Sequence, residues 1–430
     1  MRRLLVVVPI LLAFAPSHAQ TYHGVALAPN GLDAWIIDID TVAVCHTPDF
    51  GMTWEPQTIA TSRRLFGVFF LDAQRGWTCG DVGAIHATTD GGVTWFRQNL
   101  GGPKFASRLQ FLDSMRGWSS GGTAMLLFTR DGGTTWLQDF FPPLFPTDTV
   151  DFQGLSFVDT TNGWLVAGRY PEEDSMGNPT LFRGGQGYIA RVEASGDTFR
   201  HTLQLKDAVN DFFDVEFTDA TTGWVVGGED STYIAAVLHT TNGGTDWVQQ
   251  PLPSSARYLR AVDFVSPNQG WACGRSGTIV HTSNGGTTWE SQNYYVDTTL
   301  FDIQFCDSLR GMIAGNSVVL LTTDGGQHWV RGFGGVEEAT RQPHAGIGVQ
   351  SPSRGHVRFT IGGARRTGVI AIYDAAGCQV RTLRNRTGHS ESVEWDGLDD
   401  SGRPVRSGLY LAQVENGAQS ATARFVLLKE

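Results

Sequence analysis

The chain is short of charge for its size: Asp, Glu, Lys and Arg make up 17% of 430 residues, and the acids dominate, for a formal net charge of −11. That balance removes the clustered positive field on which nucleic-acid binders and polybasic membrane-surface proteins rely. Cysteine is scarce as well. The five residues Cys45, Cys79, Cys273, Cys306 and Cys378 are odd in number and widely spaced, so they form neither a disulfide framework nor a metal-ligand spacing and read as small buried hydrophobes. Beyond the first residues, no apolar run reaches the ~18 residues that a membrane span requires. There is no His-Glu-x-x-His, no Walker loop, no Gly-x-Ser-x-Gly elbow and no Cys-x-x-Cys. No metal, cofactor or catalytic residue is therefore expected. Apolar residues are not lacking, and at 41% hydrophobic content the chain is no disordered polymer.

What is abundant is glycine and tryptophan, 53 and 13 of them. A turn-rich, aromatic-cored chain of this length points to an all-β protein of two or three domains. Charge is divided unevenly, about −16 over residues 20–345 and +3 over residues 346–430, which suggests two modules. At the N-terminus Arg2 and Arg3 precede an apolar run from Leu4 to Ala15, and Ser17-His18-Ala19 places small residues before Gln20. This is the architecture of a secretory signal peptide over residues 1–19, with an exported mature chain to follow.

The main signal is self-similarity. Thr47 to Trp54 recurs as Thr88 to Trp95, Thr129 to Trp136, Thr240 to Trp247, Thr282 to Trp289 and Thr322 to Trp329, with a degenerate seventh copy at Val192 to Phe199. Most intervals lie near 41 residues, the period of a four-stranded propeller blade; the longest is 63. A second repeat interleaves: Phe70, Phe111, Phe157, Phe217, Phe264 and Phe305 each meet a Gly-Trp or Gly-Met pair six residues later. Apolar residues five and two positions before these Phe mark a strand buried between blades.

In the first repeat the acid or amide at the third position, Asp49, Asp90, Asp131, Asn242, Asn284 or Asp324, is suited to accept backbone N–H bonds, and Gly two residues on supplies a positive φ. The closing Trp buries a large ring between blades. These residues read as architecture, as do His46, His239 and His281, which share one repeat position. The pattern resembles the Asp-box, or bacterial neuraminidase repeat, of sialidases and sortilin-like receptors. Paired with the Phe…Gly-Trp repeat, it is most similar to the photosystem II stability/assembly factor family, whose fold is a seven-bladed propeller. The resemblance covers roughly Thr21 to Arg331, so the propeller is expected over residues 20–335.

A Gly-, Gln- and Pro-containing linker follows over 336–352, and alternating strands are expected at Val357–Ile361, Val369–Tyr373, Gln379–Leu383, Ser392–Trp395, Leu409–Val414 and Ala423–Leu428. Ile372 to Gly377, Trp395-Asp396-Gly397, Asp400-Ser401-Gly402 and Ser407 to Tyr410 resemble the immunoglobulin-like domain of the flagellar hook-cap protein FlgD. The ending Arg424 to Lys429 also resembles the C-terminal sorting domain of the type IX secretion system. Both resemblances imply display or export through residues 353–430, and an immunoglobulin-like β-sandwich.

In such a propeller the repeated turns occupy one face, and irregular connections collect on the other. That face is the expected binding surface, with Arg64, Arg108, Tyr170, Phe182, Arg183, Arg257, Tyr258, Tyr294 and Tyr295 as candidates, because exposed aromatics interleaved with charge favour protein or sugar recognition. Asp151, Asp211, Asp214 and Asp302 join Arg64 and Arg108 near the channel by strand register. The expected function is a secreted or surface-displayed, non-catalytic binding or assembly scaffold for a protein or glycan in the cell envelope or outside the cell. The alternative is a sialidase-like glycoside hydrolase, which requires an arginine cluster and Tyr nucleophile or two opposed carboxylates.

Overall fold

The computed structural model describes residues 21–428 except 99–104, 123, 142–150, 169–171, 174–178, 182–186, 196–197, 208–209, 230–231, 293–295, 333–345, 350–352, 355, 363–368, 375–378, 385–391, 407 and 417–418. The chain divides into two compact units, Met1–Val336 and Glu337–Glu430. Among the described residues no helix is long and apolar enough to cross a membrane.

The first unit is a ring of seven four-stranded antiparallel sheets, each contributed by one stretch of chain. Their inner strands are Tyr22–Leu27, Leu65–Phe70, Ala106–Phe111, Asp151–Phe157, Asn210–Phe217, Leu259–Ser266 and Leu300–Phe305, for blades 1 to 7 in order. Neighbouring inner strands touch all the way round, including blade 7 against blade 1. Among the described residues no strand is exchanged to close the ring. Beside one isolated bridge between Thr21 and Asn316, side chains close it: Asp302 accepts the Val25 N–H at 2.9 Å, Gln304 accepts the Leu27 N–H at 2.6 Å, and the Trp54 indole donates to the Gly332 carbonyl at 3.2 Å.

The two sequence repeats meet at the seams. In blade 6, Trp271 stacks on Phe305 of blade 7 with ring centroids 3.6 Å apart, and Phe305 meets the edge of Trp329 at 5.9 Å. The same triple recurs as Trp35–Phe70–Trp95, Trp77–Phe111–Trp136, Trp164–Phe217–Trp247 and Trp224–Phe264–Trp289. Each stacked indole also donates its N–H to the carbonyl of a Gly in the next blade's repeated turn, Trp271 to Gly325 at 3.0 Å for example. A Gln on the earlier blade's outer edge donates to that same carbonyl, as Gln292 does to Gly325 at 2.9 Å. The repeated turn is rigid for a local reason. Its Thr hydroxyl accepts the N–H of the second Gly, and the Asp or Asn oxygen accepts the N–H four residues on. Gly286 shows why glycine is needed: its φ is +88°, and a Cβ there would overlap Gln250 Oε1. His46, His239 and His281 stack on or tilt against Trp35, Trp224 and Trp271 of their own blades.

The second unit packs a three-stranded sheet (Gly346–Val349, Val357–Gly362, Ser392–Trp395) with a five-stranded one (Ser353–Arg354, Val369–Asp374, Gln379–Arg384, Gly408–Asn416, Gln419–Leu428). Its core is Trp395, Phe359, Phe425 and Tyr410. Where the sequence suggests a linker, Gly346–Val349 is a strand paired with Val357–Gly362, and its glycines make it read as a connection. Asp399 accepts the N–H groups of Ser401 and Arg403, so this acidic stretch is a turn. Cys45, Cys79 and Cys273 are buried free thiols, as expected, and Cys306 is half-buried; Cys378 lies outside the described residues.

Because Trp271 is fully buried and both stacked and hydrogen-bonded across a seam, Trp271→Ala is expected to lower unfolding free energy by about 3–5 kcal/mol. Trp271→Phe, which keeps a ring but loses the N–H, is expected to lose markedly less. Denaturant unfolding of the full chain measures both.

Candidate binding face

Every inner strand carries a register irregularity near its start, which inserts an additional residue into the strand. A bulge re-aims a side chain out of the ladder. Six inserted residues are Phe66, Ser107, Gln153, Phe213, Arg260 and Phe301, and blade 1 contributes His23. All seven converge with Phe105 and Arg108 on one funnel at the channel mouth opposite the repeated turns. The architecture repeats here, but the chemistry does not: the same backbone position carries His, Phe, Ser, Gln, Phe, Arg and Phe.

Aromatic packing fixes the funnel wall. His23 stacks on Phe301 at 5.1 Å and meets the edge of Phe66 at 5.6 Å, while Phe66 lies 5.3 Å from Phe105. The Arg260 guanidinium sits 4.2 Å from the Phe213 ring centroid and 5.5 Å from that of Tyr258. Burial pushes the His23 imidazole down to about 4, with Arg108 and Arg260 nearby acting in the same direction against its bond to the Phe66 carbonyl. It is neutral at physiological pH. The cavity is small, about 40 Å³, against the ~300–1,000 Å³ usual for small-molecule pockets.

One layer deeper, Arg108 spans the channel, 2.6 Å from Asp302 and 3.8 Å from Asp214. Both carboxylates have a second duty. Asp302 accepts the Val25 N–H and Asp214 the Val262 N–H, each on the next blade's inner strand. Gln110, Ser156, Asp263 and Gln304 do likewise one layer further down, toward Phe157, Phe217, Phe305 and Leu27. Channel-facing polar side chains thus satisfy N–H groups that the inner strands would otherwise leave unpaired at the sheet edge. Desolvation raises Asp214 to about 6 and Asp263 to about 7; in both, neighbouring carboxylates add to the rise, while Arg108 opposes it for Asp214 and the Phe305 N–H for Asp263.

The residues expected from sequence fare differently. Arg108, Asp214 and Asp302 do come together at the channel. Arg64 is on the funnel side, exposed and paired with Asp81 at 3.0 Å. Arg257 is half-buried and donates to the Ser254 and Ala256 carbonyls. Tyr258 is not an exposed aromatic: it is 2% accessible, its hydroxyl 3.4 Å from Asp211, between the Arg260 and Arg275 guanidiniums. It immediately precedes the inner strand Leu259–Ser266 and is buried there all the same. Asp211 is buried, Asp151 half-buried. Tyr170, Phe182, Arg183, Tyr294 and Tyr295 lie outside the described residues. The funnel residues other than Arg108 escaped notice, though a signal existed: they stand four positions before each repeat Phe, a column without consensus inside an otherwise regular motif. Among the described residues no group of three or more His, Cys, Asp or Glu could hold a metal ion.

Two family models match the chain. Photosynthesis system II assembly factor YCF48 covers residues 46–156 and 194–295, and the FlgD Ig-like domain covers residues 347–420. Among solved structures, "YCF48 bound to D1 peptide" is similar over 72% of this chain and 95% of its own, at 18% identity and a TM-score of 0.54. YCF48 from Cyanidioschyzon merolae is similar over 72% and 97%, at 19% identity and 0.53. The WD40 β-propeller domain of Doa1, at 10% identity, covers 72% and 94% with 0.52. No curated protein sequence matches. These likenesses establish the propeller fold and the immunoglobulin-like character of the second unit.

Asp263 ionises only near 7 in the fold but near 3.8 when unfolded, so the folded chain holds the extra proton between those values and stability falls as pH rises through that window. Asp263→Asn is therefore expected to raise the melting temperature at pH 8 and leave it nearly unchanged at pH 5. Equal shifts at both pH values in thermal melts would contradict the assignment.

Proposed function

We propose that the protein is a non-catalytic scaffold of the cell exterior or envelope that captures a peptide segment of a partner protein at the funnel face, with the second unit serving export or anchoring. The observation that carries this reading is the ring of bulged residues. Seven blades share one backbone solution, and the position that faces solvent at the channel mouth is where side chains diverge. Its chemistry is an aromatic wall with a guanidinium above one ring, which suits an extended segment carrying an aromatic and an acidic residue. A propeller of the same architecture, YCF48, is known bound to a peptide. The carboxylates nearest the funnel, Asp214 and Asp302, are engaged by backbone N–H groups and Arg108, a structural use that favours a scaffold over a glycoside hydrolase. The Asp-box turns, the N-terminal apolar segment and the FlgD-like unit together support an exported life.

Selection of a random 12-residue peptide display library on the full chain is expected to enrich acidic, aromatic-containing peptides, and Arg260→Ala or Phe301→Ala is expected to weaken them about tenfold. Peptides indifferent to both substitutions, or turnover of a glycoside panel, would refute the reading. Separately, deletion of residues 337–430 is expected to abolish surface retention or export while the propeller keeps its cooperative melt; retention unchanged would remove the anchoring role.

A further inference from the structure

The funnel carries hydrogen-bonding atoms that its aromatic wall and its guanidiniums leave unused. His23 Nδ1 lies 3.1 Å from the Phe66 carbonyl oxygen. A carbonyl oxygen only accepts, so Nδ1 carries the ring proton; burial keeps the imidazole neutral, and Nε2 is therefore a bare acceptor. Among the described residues no hydrogen bond or ion pair engages that nitrogen. Unlike the unpartnered nitrogens of His86, His239 and His281, which are sealed from solvent, it belongs to a residue that lines the funnel.

A second such atom lines the same funnel. Ser107, the bulged residue of blade 3, is only 8% exposed, and its Oγ has no hydrogen-bond partner. A buried hydroxyl left in that state carries a desolvation penalty. Neither polar side chain is demanded by the fold, because the equivalent position in blades 2, 5 and 7 is Phe66, Phe213 and Phe301. Around both atoms the lining is aromatic, with His23 stacked on Phe301 and Phe66 tilted against Phe105. It is also cationic: Arg108 belongs to the lining, and the Arg260 guanidinium stands over the Phe213 ring.

We infer that the aromatic residue captured by the funnel is a tyrosine, whose phenol hydroxyl donates to His23 Nε2 and accepts from Ser107 Oγ. This rests on the peptide-capture reading and names the side chain on which its specificity turns. The other side-chain chemistries each fail on one count. A carboxylate has no proton to give Nε2. An ammonium has no lone pair for Ser107 and meets the charge of Arg108 and Arg260. A carboxamide can serve both atoms but brings no ring to the wall. A phenylalanine packs on the wall and covers both atoms without bonding to either, and a site built around a hydroxyl rejects the analogue that lacks it.

The probes are the blocked peptides Ac-Asp-Tyr-Asp-NH2 and Ac-Asp-Phe-Asp-NH2, titrated calorimetrically into the full chain near neutral pH, with the His23 Nε2 resonance followed by long-range 1H–15N NMR. The tyrosine peptide is expected to bind about tenfold more tightly than the phenylalanine peptide, and to move the Nε2 resonance upfield as that nitrogen begins to accept a hydrogen bond. His23→Phe is expected to erase the preference, and Ser107→Ala to reduce it several-fold. His23→Phe suits the ring, since Phe is what the chain itself places there in three other blades, and Ser107→Ala keeps the experiment decisive if His23→Phe unfolds. No binding by either peptide, equal affinity of the two, a tyrosine preference that survives both substitutions, or an unmoved Nε2 resonance would each overturn the inference. Where the two peptides bind equally and Arg260→Ala weakens both, peptide capture stands and only the tyrosine assignment falls; indifference to Arg260→Ala as well removes both.

Discussion

Everything in the ring depends on one contact: an indole stacked on the next blade's phenyl ring with its N–H aimed at a glycine carbonyl. Sheets packed face to face have no intrinsic reason to choose one angle or one number, since apolar burial is non-directional. The indole contact makes the seam directional. Its ring fixes the separation of adjacent blades and its N–H fixes their offset along the strand, because the acceptor carbonyl sits in a turn held by its own Thr and Asp. Gln then ties the turn from a second side, its amide donating to the same carbonyl, and at three seams the oxygen of Gln98, Gln250 or Gln292 also accepts from the closing Trp, Gln250 from Trp289 at 2.9 Å. Up to four residues from two blades thus share a single node, which is why they recur together in the sequence.

This sharing explains what was legible from the chain alone. Thr, Asp, Gly and Trp at fixed spacing announce the turn, Phe and Gly-Trp announce the strands it joins, and the period gives the blade. The sandwich strands of the second unit follow from alternation, apart from Gly346–Val349, whose glycines mask a strand. The site was harder to see, for a physical reason. Repeats advertise what every blade needs, whereas a binding position is defined by being different in each. Arg108, Asp214 and Asp302 were reachable because strand register places them on the axis. His23, Phe213 and Arg260 were not, since only a bulge brings them to the mouth, and a bulge leaves no mark beyond one residue of irregular register. Tyr258 illustrates the converse, an aromatic just ahead of the inner strand that is buried between the Arg260 and Arg275 side chains rather than exposed as a loop residue.

The channel shows how a closed ring solves its inner edge. Seven inner strands turn their free backbone groups toward the axis, where no further strand can pair them. Side chains of the preceding blade take that role: Asp214, Asp263 and Asp302 as carboxylates, Gln110 and Gln304 as amides, Ser156 as a hydroxyl. Using carboxylates concentrates negative charge in a poorly hydrated place, which is visible in the raised Asp214 and Asp263 and in Glu216, held well above its ordinary value by burial and by those same neighbours. Arg108 offsets part of this, and a neutral residue of similar size in its place would leave Asp214 and Asp302 buried without a counter-charge.

Closure without an exchanged strand follows from the same economy of parts. Blade 7 has Met312 where the other blades have the stacking Trp, so the last seam lacks the indole contact from that side. It is tied from the other direction: the Trp54 indole reaches back to Gly332, Arg310 donates to the Gly31 carbonyl at 3.0 Å, and two channel side chains, Asp302 and Gln304, hold the first inner strand. The two seams that depart from the common pattern have therefore been treated differently. At blades 7 and 1 the missing contact is replaced within the chain by donors and acceptors of its own. At blades 3 and 4 the Trp118 donor stays buried, and no described residue takes the acceptor's place.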